Sequence, residues 1–265
     1  MIKICPLFSG SSGNCTYAEF EDKKAVIIDC GKSAKQIEKS LHENSIDILN
    51  VKGIFITHEH TDHISGLKVF SKKYGIKIYG SKGTITNLQG RGIIESKSKF
   101  EIIDKKDMDL GFASLKAFSI SHDCSEGFGF VFTNKVGEKF AICTDLGFVS
   151  NEVKNALTGA NIVMLESNHD VMMLQNGPYP YYLKKRILSG SGHLSNQSCA
   201  EFLPYLIDHG TKNIVLAHLS SHNNVPELAL ETSVCHLSKF GMSLNKDFLL
   251  NVAPKINTQK LSFSI

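Results

Sequence analysis

The chain alternates short apolar runs with polar turns along its N-terminal third. Ile2 to Phe8, Cys15 to Phe20 and Ala25 to Asp29 read as strands, separated by the small-residue turn Ser-Gly-Ser-Ser-Gly and by Glu-Asp-Lys-Lys. Ser33 is placed to cap a helix running to about Glu43, with Ile37 and Leu41 on one face. A strand over Gly53 to Ile56 leads into a segment from Asp62 to Lys73. There Ile64, Leu67 and Phe70 recur at helical spacing. Further strands are expected at Ile76 to Tyr79, Phe100 to Ile103, Ser114 to Ile120, Gly127 to Thr133 and Phe140 to Cys143. Beyond residue 150 helices alternate with strands at Ile162 to Leu165 and Ile214 to Ala217, and helices begin near Ser195 and Pro226. Meanders followed by strand–helix alternation, twice over, suit two mixed sheets with helices outside.

Composition narrows the class. The 265 residues are 42% hydrophobic and 21% charged, ample for a large core, and the net charge of +3 permits an anionic substrate without requiring one. The basic residues are lysines apart from Arg91 and Arg186. Seven cysteines form no CxxC pair, a scattered odd set that points to reduced thiols and a cytoplasmic location. The first residues, MIKICPLFSG, lack the apolar core of a signal peptide, and no run of about 18 apolar residues suggests a membrane span.

The segment THEHTDHISG, residues 57 to 66, changes the picture. Three histidines and two acids crowd into His58 to His63, directly after a strand and at the start of a helix. Extended backbone at His58 and His60 turns two imidazoles the same way, while Asp62 and His63 follow the bend towards a neighbouring spot. Two adjacent spots with nitrogen and carboxylate donors suit two borderline divalent cations. These four donors leave both coordination spheres incomplete. Three later strands stop on further donor types: His122 after Ser114 to Ile120, Asp145 after Phe140 to Cys143, and His218 after Ile214 to Ala217. Taken singly, each is open to a plainer reading as a turn cap or a satisfied buried histidine. His42, His209 and His236 sit in or at the ends of predicted helices and read as ordinary helix residues.

This pattern resembles the metallo-β-lactamase superfamily over nearly the whole chain. The resemblance implies a single α/β domain over residues 1 to 265, a four-layer αββα sandwich of two mixed sheets with outer helices. It implies zinc, manganese or iron held as a pair. His58, His60 and His122 would take one cation, Asp62, His63 and His218 the other, and Asp145 would bridge them. The motifs SGSSGN, SISHDCSEGFGF, CTDLG, LESNHD, GHLSNQ and HLSSHNN are similar to the YycJ/WalJ group of bacterial exonucleases. That likeness implies metal-dependent hydrolysis of DNA, 5′ to 3′. GHLSN also resembles a late motif of transfer-RNA-processing nucleases, in which a histidine assists the leaving group. His193, with Asp62, is therefore a candidate catalytic residue.

There is no room for the large inserted domain with which related nucleases hold nucleic acid, so the core must supply that surface. Lys184, Lys185 and Arg186 beside Tyr181 and Tyr182 offer charge and stacking. The turn with Ser9, Ser11 and Asn14 offers backbone donors to a phosphate, and His169 is a further candidate contact. A solvated helix face and a plain hairpin turn are the bland alternatives. Because one metal core supports several chemistries, hydrolysis of a small cyclic phosphodiester, thioester or lactone stays open, as does a non-catalytic binding module.

Overall fold

A computed structural model describes residues 1–265. The first sheet holds Lys3–Phe8 (β1), Cys15–Glu19 (β2), Ala25–Ile28 (β3), Val51–Phe55 (β4), Ile78–Gly80 (β5) and Phe100–Ile102 (β6). The second holds Met108–Asp109 (β7), Ala113–Ser119 (β8), Phe128–Asn134 (β9), Lys139–Cys143 (β10), Ile162–Glu166 (β11), Asn213–Ala217 (β12) and Leu249–Val252 (β13). Phe263–Ser264 (β14) returns to the free edge of β1. The orders are β14-β1-β2-β3-β4-β5-β6 and β13-β12-β11-β10-β9-β8-β7. In each sheet a meander of antiparallel strands passes into a parallel half, β3 to β6 in one and β10 to β13 in the other.

Phenylalanines fill the space between the sheets: Phe20, Phe55, Phe128, Phe130, Phe132 and Phe140 share one buried cluster with Ile2, Ile4 and Val26. Helices Ala34–Glu43 (α1), Thr61–Ile64 (α2), Leu67–Tyr74 (α3) and Lys82–Gly90 (α4) follow the first sheet's strands, and Ile37, Leu67, Phe70 and Ile85 bury their apolar faces against it. Asn151–Leu157 (α5), Val171–Asn176 (α6), Tyr181–Ile187 (α7), Asn196–Asp208 (α8) and Pro226–Ser238 (α9) follow the second sheet, where Val153, Leu157, Leu203 and Leu237 join its outer cluster. The four layers and mixed sheets predicted above are present. Helix α1 begins with the capping box expected of Ser33, whose hydroxyl accepts from the Gln36 amide.

One expectation is corrected. The helix anticipated from Asp62 to Lys73 is two helices, broken at Ser65 and Gly66. A Cβ at Gly66 would lie 2.1 Å from the Lys32 carbonyl oxygen, so the chain changes direction where it crosses the β3–α1 loop. Gly31 serves the same packing: a Cβ there would lie 1.7 Å from the Asp62 carbonyl oxygen. The backbone of the histidine motif therefore rests directly on a neighbouring loop.

Candidate metal centre

Strand ends build the site. His58, His60, Asp62 and His63 follow β4, while His122, Asp145, Glu166 and His218 follow or end β8, β10, β11 and β12. Asp29, Asp145 and His218 all adopt left-handed backbone, with φ of 61°, 59° and 56°. For non-glycine residues this costs about 1–2 kcal/mol each. It turns the chain sharply where a parallel strand ends, and strain at three neighbouring points marks the functional edge of the sandwich.

The predicted donors converge. His58, His60 and His122 form one group and Asp62, His63 and His218 another, with the donor atoms of each lying within 4.8 Å of one another. Asp145 lies between the two groups. Its Oδ1 is 3.6 Å from His122 Nε2 and its Oδ2 is 3.2 Å from His63 Nε2. His58 Nε2, His218 Nε2 and Asp145 Oδ2 are buried without a hydrogen-bond partner. Unsatisfied buried polar atoms cost about 1–3 kcal/mol each. A divalent cation would satisfy such inward-facing lone pairs, and nitrogen with carboxylate donors is the set such a cation takes.

Two buried carboxylates outside the predicted ligand set orient the rings. Asp29 accepts from Thr57 N at 2.9 Å and from His63 Nδ1 at 2.7 Å, which leaves His63 Nε2 facing inward. Glu166 Oε1 accepts from His193 Nδ1 at 2.9 Å and His218 Nδ1 at 2.7 Å, and its Oε2 accepts from the Leu146 and Leu194 amides at 2.8 and 3.0 Å. Glu166 also falls within a donor group with Asp145, His193 and His218. Both its oxygens are spent, so its part is to fix imidazoles rather than to bind a cation. Asp29 was missed in the sequence, although β3 stops on an acid just as β10 does.

The electrostatics follow from this crowding. Burial pulls His218 down, but the carboxylates of Asp145, Asp62 and Glu166 outweigh it and push the ring up to about 10. His63 is raised well above its ordinary value by Asp145, Asp29 and Asp62, again against burial. Burial works against ionised Glu166 too, yet His193 and His218 bring it down to about 2. His58, deeply buried beside His63, is lowered.

The other candidates are placed as follows. His193 stands in the loop before α8, its ring centroid 5.1 Å from that of His122 and 5.3 Å from that of His218. Ser9 is buried, and its hydroxyl accepts from the His218 amide at 2.9 Å. Asn14 is buried as well: its Oδ1 accepts from the Gly10 amide at 3.0 Å, and its Nδ2 lies 3.1 Å from His63 Nε2. In that turn Ser11 and its neighbour Ser12 are exposed. His169 is buried with neither ring nitrogen hydrogen-bonded. Lys184 donates to the Gln175 carbonyl at 2.7 Å, Lys185 is exposed, and Arg186 is paired with Asp123. Tyr181 and Tyr182 are among the most exposed large side chains of the chain. A cleft of about 500 Å³ opens over the site, lined by polar residues alone, among them His60, Asp62, Arg91 and Arg186.

All seven cysteines are free thiols, and no helix is long and apolar enough to cross a membrane. Residues 24–219 match the model of a beta-lactamase superfamily domain. The chain is 38% identical over 257 residues to an exodeoxyribonuclease, YycJ, of Bacillus anthracis, covering 96% of both chains. It is 37% identical over 249 residues to the exodeoxyribonuclease WalJ of Streptococcus pneumoniae, covering 93% of this chain and 92% of that one. Among solved structures, the metallo-beta-lactamase fold protein YhfI of Bacillus subtilis superposes with a TM-score of 0.73 at 13% identity, over 99% of this chain and 98% of that one.

Proposed function

The chain belongs to the beta-lactamase superfamily, and within it we propose that it is a metal-dependent exodeoxyribonuclease that degrades DNA from the 5′ end. The observation that carries the hydrolase reading is the pair of donor trios joined by Asp145, with partnerless lone pairs turned inward. DNA as substrate rests on the relatives at 37–38% identity along nearly the whole chain. A cleft without an apolar lining residue supports a charged backbone over an acyl or lactone substrate.

His58, His60 and His122 would hold one divalent cation and Asp62, His63 and His218 a second, with Asp145 touching both. Zinc, manganese and iron all suit these donors. Such a pair activates water at neutral pH and neutralises charge on the attacked phosphoryl group. The protein's own groups do the rest. Asp29 and Glu166 hold His63 and His218 in the tautomer that offers Nε2 inward. Asp62, a quarter exposed, lines the cleft together with His60, and its carboxylate can accept a hydrogen bond from the attacking water. With Nδ1 fixed on Glu166, His193 keeps Nε2 to deliver a proton to the departing oxygen. Lys185 and the exposed rings of Tyr181 and Tyr182 would meet the strand outside the cleft. Free thiols throughout support a cytoplasmic location.

The test is digestion of single- and double-stranded DNA labelled at either end, with added manganese or zinc and an RNA control. Loss of nucleotides from the 5′ terminus is expected. Intact DNA under every metal condition, or RNA cleaved in preference, would refute the reading.

A further inference from the structure

We infer that Arg91 and Arg186, the only arginines in the chain, form a pincer that grips the phosphodiester backbone of the substrate strand at the mouth of the metal centre. The inference rests on the nuclease reading above and adds to it the residues that hold the strand. The two side chains come from opposite halves of the sandwich. Arg91 is the C-cap of α4, on the first sheet's side, and Arg186 lies in the last turn of α7, on the second sheet's side. Both nevertheless line the same cleft of about 500 Å³, together with His60, Thr61, Asp62 and Asn87.

Each guanidinium is anchored to a segment that carries a metal donor. Arg91 Nη1 donates to the carbonyl of Glu59, the residue between His58 and His60, at 2.8 Å. Arg186 donates through Nε and Nη2 to both oxygens of Asp123, the residue after His122, at 2.5 and 2.8 Å. Anchoring uses a minority of the five N–H donors of Arg91 and two of those of Arg186, so both forks keep donors for a ligand. A planar fork matches two phosphate oxygens at once, which a lysine ammonium does not. All the other formal cations of this chain are lysines, so the placement of both guanidiniums at one cleft is a chemical distinction and not a surplus of charge. Glu59, Asp62 and Asp123 would repel a polyanion approaching the same opening, and the arginines offset that repulsion where the strand must enter. Two anchored forks entering one cleft from opposite halves suit a ligand whose charge is spread along a backbone.

The experiment compares the metal-loaded wild type with Arg91→Ala, Arg186→Ala, the double variant and the two Arg→Lys variants. A single-stranded oligonucleotide is digested over a series of KCl concentrations. Each alanine is expected to raise KM about tenfold, the size of one charge-assisted contact, with kcat the lesser effect. The plot of log kcat/KM against log salt should flatten by about 0.7 for each alanine, since one phosphate contact fewer releases fewer counterions. The lysine variants should keep the slope and still lose affinity, because they retain charge and lose the fork. A double variant with wild-type KM and salt slope overturns the pincer while leaving the nuclease reading intact. A loss confined to kcat overturns it too. Wild-type protein that leaves the oligonucleotide undigested refutes the nuclease reading and the pincer with it.

Discussion

Glu166→Gln isolates the part of the site that the comparison with relatives does not reach. The wild-type carboxylate is fully buried and accepts four hydrogen bonds, two from imidazoles and two from amides. Glutamine keeps one acceptor oxygen and turns the other position into a donor. If the new amide faces Leu146 and Leu194, two N–H groups meet an N–H donor. If it faces the rings, His193 and His218 must take the other tautomer and carry their proton on Nε2. Two charge-assisted bonds at about 1.5–3 kcal/mol each place the cost near 3–6 kcal/mol in the first arrangement. The second avoids most of that cost by sacrificing the inward lone pair of His218. A lost orienting partner of this kind typically weakens metal affinity 10–100-fold. Misplacing His193 should remove a further 10²–10⁴-fold of turnover even at saturating metal. Chelator-competition titration gives the first quantity, and single-turnover cleavage at saturating manganese gives the second. A thermal melt identifies loss of fold. A folded variant whose metal affinity and saturated turnover both stay within about threefold of wild type would refute the assignment of Glu166 as the anchor of both rings.

His193→Ala should retain bound metal and lose turnover on DNA by about 10²–10⁴-fold. It should recover relative activity on a nitrophenyl phosphodiester, whose leaving group needs no proton; equal losses on both substrates would exclude the acid role. Asp29→Asn should weaken metal binding 10–100-fold through His63 and leave His193 chemistry in place at saturating metal; chelator titration decides, and unchanged affinity refutes the orienting role. Cation uptake by chelator-stripped protein at pH 7 should release protons, because the surrounding carboxylates raise His218 to about 10 and push His63 upward as well. Calorimetry in buffers of differing ionisation enthalpy measures the number, and none released would contradict the raised values. The sign carries over to stability. His218, raised to about 10, stabilises the stripped protein fully below its unfolded value near 6.5, and that contribution fades as pH climbs towards 10.

The strands β1 to β6 and β8 to β12 were legible because each is an apolar run closed by a turn residue, and the donors because strand after strand stops on a ligand type; the short β7, β13 and β14 were not anticipated. Helix α4 was not anticipated. Lys-Gly-Thr-Ile-Thr-Asn-Leu-Gln-Gly is poor in helix formers, and tertiary packing of Ile85 and Leu88 with a Ser81 cap overrides that composition. The break at Gly66 was hidden because the apolar spacing of Ile64, Leu67 and Phe70 runs straight through it, and only the contact with Lys32 forces the bend. Left-handed backbone at Asp145 and His218 carries no local signature in residues that are not glycine. Asp29 illustrates a different limit. Its strand ends on an acid in plain view, yet only the folded geometry shows which imidazole it meets. Likewise, the two arginines stand out in the composition, but their convergence on one cleft depends on how α4 and α7 are laid down.

The division of donors between the sheets has a mechanical consequence. Each trio takes two side chains from the segment after β4 of the first sheet, the loop for one trio and α2 for the other, and one from a strand end of the second. Every cation bound there would be a rivet across the sandwich, joining two layers that elsewhere meet mainly through apolar packing around Phe55, Phe130 and Phe132. The strength of that rivet is set from outside the molecule. Free cation at a hundred times its dissociation constant adds about 2.7 kcal/mol per site to the folded state, and a chelator withdraws it. The halves of the sandwich would thus be fastened to a degree that depends on metal supply, and the same ions that would equip the chain for hydrolysis would also hold its two layers together.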